Sequence, residues 1–197
     1  MVKKWNVYLA MIGFLLFITL MFTYERFQGF DAQMASLLYG NAILEVFHYF
    51  GDTIIVVSIA ALLIIWRAFR QDIRGMVFVL LGIGGGYLLN QVMKRVVERP
   101  RPALPDQLAS YSFPSGHTML SLLMLLIIAY FVTRKMRNTG QQRIVWGIAI
   151  ICAVGTGLSR VATGNHFATD VFAGWGLAYA WFIWIVWWYE SNKGKLA

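Results

Sequence analysis

Apolar residues fill this chain in six long blocks, separated by short polar stretches that carry most of its charge. The blocks cover about 5–24, 53–69, 75–93, 115–133, 144–158 and 169–189. Crossing a bilayer takes roughly 20 apolar helical residues, with about 17 as the lower limit. The fifth block is short on that measure and is expected to extend by a turn at one or both ends. No strand-like alternation with turn signals appears, and open sheet edges cannot face lipid. The pattern therefore predicts an all-α integral membrane fold of six transmembrane helices, forming a single domain over 1–197. Segment 25–52 has a different pattern. Phe27, Phe30, Met34, Leu37 and Leu38 are spaced as on an amphipathic helix lying at the interface, between the first and second spans. Such a helix could roof or gate a site.

Composition agrees with this class. The 197 residues are 59% hydrophobic and 13% charged, whereas soluble domains carry about 25% charged residues. The net charge of +8 does not indicate nucleic acid, because the basic residues sit beside the apolar blocks and not on one polar face. The single Cys152 lies inside an apolar run, which excludes an intramolecular disulfide. Lys3 and Lys4 before the first block resemble a signal peptide. That block is long, lacks a small-residue cleavage site and precedes further spans, so it reads as a retained anchor.

Six spans divide the chain's 17 Lys and Arg residues unequally. One side receives Lys3, Lys4, Arg67, Arg70, Arg74, Arg134, Lys135, Arg137, Arg143, Lys193 and Lys195. The other receives Arg26, Lys94, Arg95, Arg99, Arg101 and Arg160. The positive-inside bias makes the first side cytoplasmic, with both termini there, in a plasma membrane. Trp187, Trp188 and Tyr189 then fit an inner aromatic belt.

Three polar segments all fall on the outer face: Lys94 to Arg101-Pro102, Pro114-Ser115-Gly116-His117, and Ser159-Arg160 to His166 and Asp170. Ionisable groups at membrane depth are costly and are functional candidates by default. Lys94, Arg101 and Arg160 can grip a phosphate dianion. Ser115 is expected to cap a helix whose first amides, with Gly116, complete an oxyanion cradle. His166 and Asp170 are four apart and share a helical face, so the carboxylate can fix the tautomer and leave the other ring nitrogen free to attack phosphorus. His117 can protonate the departing alkoxide and later deprotonate the attacking water.

Competing readings are weaker. Two histidines and a carboxylate could ligate a metal, but three neighbouring cations would repel it, so no metal or other cofactor is expected. Arg95 and Arg99 read as interfacial anchors, and His48 as a satisfied interfacial residue. Glu98, four residues after Lys94, could form a helix-surface pair with it. Gly82, Gly84, Gly85 and Gly86 suit close helix packing rather than a nucleotide loop. Ser115 lacks a nucleophile elbow.

The segments K-x6-R-P, P-S-G-H and S-R-x5-H-x3-D resemble the signature of the type-2 phosphatidic acid phosphatase superfamily, and the six-helix frame resembles its integral-membrane branch. The resemblance spans Lys94 to Asp170 and holds at every fixed position. It implies His166 as nucleophile, Asp170 as its orienter and His117 as acid. Lys94, Arg101, Ser115, Gly116 and Arg160 would bind phosphate. Within the family the chain is most similar to bacterial enzymes that remove the terminal phosphate of phosphatidylglycerophosphate through a phosphohistidine. The expected partner is a membrane lipid bearing phosphate or pyrophosphate, with undecaprenyl pyrophosphate as the alternative substrate. A phosphate or lipid transporter, or a non-catalytic lipid-binding protein, would use the same cations only for binding. The transporter reading lacks the internal repeat common in such folds, and a mere binder has no need for a histidine oriented by Asp170.

Overall fold

A computed structural model describes residues 4–103 and 109–191. Lys3, Lys193 and Lys195, assigned above to the inner side, lie outside the described residues. The helices are α1 Lys4–Thr23, α2 Gln28–Leu38, α3 Ala42–Glu45, α4 Thr53–Phe69, α5 Ile73–Val79, α6 Gly86–Val97, α7 Gly116–Thr133, α8 Thr139–Ala162 and α9 Ala168–Ser191. Two 3₁₀ turns, Tyr24–Phe27 and Val46–Gly51, flank α2 and α3, and a π-helical turn, Leu80–Gly85, joins α5 to α6. Among the described residues there is no strand. Among the described residues, five helical segments are long and apolar enough to cross a membrane, and a sixth appears if the pair Ala42–Gly51 and Thr53–Phe69, bent by 43°, counts as one span. The short fifth block does extend at both ends, becoming Thr139–Ala162.

Local signals start several helices where polar residues interrupt the apolar blocks. The side chains of Asn41, Asp52, Asp72 and Asn138 accept backbone N–H groups in the first turns of α3, α4, α5 and α8. Each satisfies donors that an α-helix cannot satisfy itself. At the far end of α6, Glu98 adopts φ 50°, a left-handed conformation that stops the helix just after Lys94.

α7 is central, with Met119, Leu123, Met124, Leu126 and Ile127 all buried. The outer helices point Trp5, Leu15, Ile54, Leu62 and Phe69 outward. In lipid such exposure is no penalty, so helix association depends on close packing of small residues. The glycine-rich turn illustrates this: a Cβ at Gly82, Gly85 or Gly86 would meet Ile127, Trp181 or Leu123 at 2.4, 2.8 and 2.3 Å. These glycines pack helices, as their setting in an apolar span indicated. Trp181 Nε1 donates to the Leu81 carbonyl at 3.0 Å, within the π turn. Trp175 Nε1 donates to the Ala153 carbonyl.

Segment 25–52 is broken into several pieces rather than forming one helix. Met34 and Leu38 pack against Val161, Ala168 and Val171, and the Phe30 ring lies tilted 6.0 Å from that of Phe172. Phe27 and Leu37 remain exposed. The inward face of α2 also carries Asp31, which is buried.

α1 and α9 cross where Gly13 meets Gly176. A Cβ on Gly176 would stand 2.3 Å from the Gly13 carbonyl oxygen, a backbone atom that cannot turn aside. Gly176→Ala is expected to lower the thermal midpoint in detergent, at a cost of about 1–3 kcal/mol. Gly147→Ala, which meets nothing within 4 Å, should be neutral or slightly stabilising. Equal midpoints for the two variants would refute this account of the α1–α9 contact.

Candidate active site

The polar residues singled out in the sequence converge at one end of the bundle. Lys94 lies in the last turn of α6, Ser115 and His117 at the start of α7, Arg160 in the last turn of α8, and Asp170 in the first turn of α9. Arg101 follows α6, and His166 sits in the turn between α8 and α9.

Gly164, at φ 65°, ends α8 and reverses the chain. The N–H groups of Asn165 and His166 then both donate to the Arg160 carbonyl at 3.1 Å, so the residue supplying a cation also fixes the backbone of the candidate nucleophile. His166 is buried, and its Nε2 accepts from Arg101 Nη1 at 3.3 Å. That contact puts the ring proton on Nδ1. Nδ1 lies 3.4 Å from Oδ2 of Asp170, near enough for its N–H dipole to face the carboxylate but without hydrogen-bond alignment, and has no hydrogen-bond partner. Oδ2 itself accepts the Phe167 N–H at 3.0 Å, closing the first turn of α9 as a capping-box carboxylate does.

The phosphate-binding candidates surround this pair. Lys94 is buried and donates through Nζ to the Tyr111 carbonyl. Arg101 also donates to the carbonyls of Ser110 and Asn165, at 2.8 and 2.7 Å. Arg160 is buried with its Nε unpartnered. Lys94 and Arg101 both act electrostatically on His166, and Arg101 on Arg160. The Ser115 side chain does not cap α7. Its hydroxyl accepts from Thr118 Oγ1 at 2.9 Å, and its N–H donates to the Asp170 carbonyl at 3.1 Å. The N–H groups of Gly116 and His117 follow, and have no acceptor within their own helix. His117 packs against Gly51, where a Cβ would come within 2.9 Å of it.

Four features escaped the reading of the sequence. Arg99 is no interfacial anchor: it is buried, and its Nη1 and Nη2 donate to Asp170 and Asp31 at 2.7 and 2.8 Å. Asp31 was hidden among the apolar positions of α2, where a lone acidic residue is the available signal. Buried Asn90 donates to the Pro114 carbonyl at 3.1 Å and braces the turn before α7. A Cβ on Gly116 would press to 3.1 Å from Asn90 Oδ1. Glu98 accepts from the Tyr111 hydroxyl at 3.0 Å and is not Lys94's partner. Arg95 is exposed, as an anchor should be. His48 Nδ1 lies 2.6 Å from the Glu45 carbonyl, which satisfies it locally.

A cleft of about 700 Å³ opens beside the site, lined by Tyr24, Gln28, Tyr39, Pro102, His166 and Phe167 among others. That volume suits a small-molecule or headgroup site. Among the described residues, no three His, Cys, Asp or Glu side chains gather as a metal-ligand group.

The family model of the PAP2 superfamily matches residues 75–193, more than half of the chain and all three polar segments. The chain belongs to the PAP2 superfamily. It is 38% identical over 112 residues to phosphatidylglycerophosphatase B of Bacillus subtilis, an alignment covering 55% of each chain, so it spans about half the length of that relative. It is 28% identical over 162 residues to an undecaprenyl-diphosphatase of Sulfolobus acidocaldarius, covering 77% of this chain and 74% of that one. The crystal structure of a transmembrane PAP2-type phosphatidylglycerolphosphate phosphatase from Bacillus subtilis superposes with a TM-score of 0.75, covering 98% of both chains at 28% identity. This PAP2 chain therefore has the fold of a multi-pass membrane protein.

Electrostatics favour a neutral His166. Burial lowers its pKa from 6.5 to about 4; Asp170 raises it, and the charges of Arg101 and Lys94 push it further down. Burial likewise lowers the pKa of Arg101, against the pull of Asp170. An unfolded chain would protonate His166 near 6.5 and the folded one only near 4. The stabilising contribution is thus complete above pH 6.5 and is lost as pH falls towards 4. Thermal unfolding between pH 7 and 4 should show the wild type losing more stability than His166→Gln. Parallel pH curves would contradict a neutral, buried imidazole.

Proposed function

We propose that this chain is a lipid phosphatase that removes the terminal phosphate of phosphatidylglycerophosphate to leave phosphatidylglycerol. The observation that carries the reading is His166 itself. It is a buried imidazole with Nδ1 towards a carboxylate and Nε2 towards a guanidinium, with Lys94 and Arg160 close by.

In this mechanism Lys94, Arg101, Arg160 and the first amides of α7 hold the phosphate oxygens, while Ser115 shapes the turn that presents them. The guanidinium that faces Nε2 would grip the phosphate delivered to that nitrogen. Nε2 attacks phosphorus, the bond to the lipid oxygen breaks, and His117 gives its proton to the leaving alkoxide. Asp170 stabilises the charge that the His166 ring acquires. Water then attacks the phosphohistidine and yields its proton to His117, releasing inorganic phosphate and restoring both histidines. Fixed cations and helix amides provide the charge stabilisation that a metal would otherwise supply.

We place six transmembrane helices in a plasma membrane, organised as one phosphatase domain over 1–197. Both termini are cytoplasmic and the active site is extracytoplasmic. Support comes from Arg67, Arg70, Arg74 and Arg134, which cluster at helix ends away from the motif-bearing ends. Segment 25–52 would lie at the outer interface, over the cleft that reaches His166. Undecaprenyl pyrophosphate is the second substrate to consider, since the Sulfolobus relative carries that activity in its name and covers more of this chain.

The decisive assay is phosphate release by purified protein in chelator, with phosphatidylglycerophosphate and undecaprenyl pyrophosphate side by side. The wild type should turn over at least one of them, and the ratio of rates ranks the two. His166→Ala is expected to be inactive yet folded. Asp170→Asn should lower kcat by roughly a thousandfold or more, the order seen when a catalytic triad's carboxylate becomes an amide. Absence of turnover on both lipids, or an active His166→Ala, would sink the reading; loss in chelator restored by zinc or magnesium would revive a metal mechanism. For topology, Ala109→Cys in a Cys152→Ala background should react with a membrane-impermeant thiol reagent in intact cells. Labelling only after the cells are opened would place the site inside.

A further inference from the structure

Arg99 has no place in the phosphate-binding set, yet it is only 4% exposed and both of its terminal nitrogens are hydrogen-bonded. Its Nη1 donates to Oδ1 of Asp170 and to Oγ1 of Thr169, both at 2.7 Å, and its Nη2 donates to Oδ2 of Asp31 at 2.8 Å. Tyr24 and Phe167 cover the guanidinium at 4.4 and 4.0 Å, so the fork cannot rotate. Asp31 is equally fixed: Oδ1 accepts the Thr169 N–H at 2.9 Å and Oδ2 the Thr169 hydroxyl at 2.8 Å. One cation is therefore shared between two buried carboxylates.

This sharing has two consequences for Asp170. Arg99 occupies Oδ1, which leaves Oδ2 as the oxygen that faces His166. An arginine paired with Asp170 alone would neutralise it and weaken its pull on the imidazole. Asp31, arriving from α2, takes part of that positive charge. We propose that Arg99 and Asp31 are positioning residues for the His166–Asp170 pair: Arg99 locks the carboxylate's orientation, and Asp31 leaves Asp170 enough negative charge to stabilise the imidazolium formed in turnover. This rests on the reading of His166 as nucleophile. It also gives α2 a role in catalysis beyond that of a cover.

The alternative is that Asp31 merely pins α2 to the bundle, in which case its loss would loosen the cleft and weaken substrate binding. Steady-state kinetics on phosphatidylglycerophosphate separate the two, together with NMR titration of His166 in histidine-labelled full chain. The charged and titratable groups facing His166 are Asp170, Arg101, Lys94 and His117, and all stay in place in the variants used. Asp31→Asn keeps the shape and an acceptor for the Thr169 N–H. It should lower kcat by roughly 10- to 100-fold, the range seen when the partner behind a metal-bound histidine is removed, with KM changed by less than about threefold. His166 should titrate at lower pH in that variant and at higher pH in Arg99→Met. Arg99→Met leaves two buried carboxylates without their cation and is liable to misfold; Asp31→Asn then decides alone. An unchanged kcat, a change confined to KM, or an unmoved His166 titration in Asp31→Asn overturns the proposal. An active His166→Ala in the same assay overturns the nucleophile instead, which keeps the two failures apart.

Discussion

The structure turns on one buried carboxylate. Asp170 has no exposed surface, and a charge taken out of water must be compensated or it destabilises the fold. Its compensation comes from three directions. Arg99, beyond the end of α6, holds Oδ1, and the Phe167 N–H holds Oδ2. His166 stands beside Oδ2. The backbone carbonyl of the same residue, Asp170, accepts the Ser115 N–H and ties the start of α7 to it. Through Arg99 the network continues to Asp31 on α2. The loop after α6, the start of α7, the turn before α9 and α2 thus share one electrostatic centre. In a low-dielectric surrounding each such contact is strong when made and expensive when missing. The requirement that aligns His166 with Asp170 is also the one that assembles this end of the bundle.

The rest of the bundle is held together differently. Lipid-facing side chains gain little from association, so shape complementarity replaces the hydrophobic effect as the selective force. Gly13 against Gly176 brings two backbones together, and the glycine-rich π turn lets Ile127, Leu123 and Trp181 fill the space a side chain would have taken. The indole N–H groups of Trp175 and Trp181 donate to backbone carbonyls, so these two tryptophans bond inside the protein, whereas Trp187 faces outward. A rigid apolar frame of this kind suits a site that must keep several cations close together without relaxing away from them.

Much of this was legible in the linear pattern. Apolar blocks of membrane-spanning length dictate helices, because hydrocarbon offers backbone groups no other partner. The spacing of Lys94, Arg101, Ser115, Gly116, His117, Arg160, His166 and Asp170 marked the residues that the fold gathers at one end. The glycines near Gly82 could be read as packing residues from their apolar setting alone. Other features were not legible. Arg99 looks like any basic residue at a span end, and Asp31 looks like a stray polar residue on the apolar face of α2; only mutual burial distinguishes them. Ser115 occupied the cap position as its residue type suggests, yet its hydroxyl and N–H were drawn to Thr118 and Asp170 instead.

The sequence by itself determined the class, the helices and the family, because bilayer thickness, backbone hydrogen bonding and a spaced motif are each satisfied within one segment or a few. The tertiary structure alone decided which polar groups answer one another. Asp31 and Arg99 are 68 positions apart and Asp31 and Thr169 are 138 apart. Their attraction exists only after α2 has folded against α8 and α9, since in water such charges would be screened and solvated separately. Burial converts them from ordinary surface residues into the frame of the site.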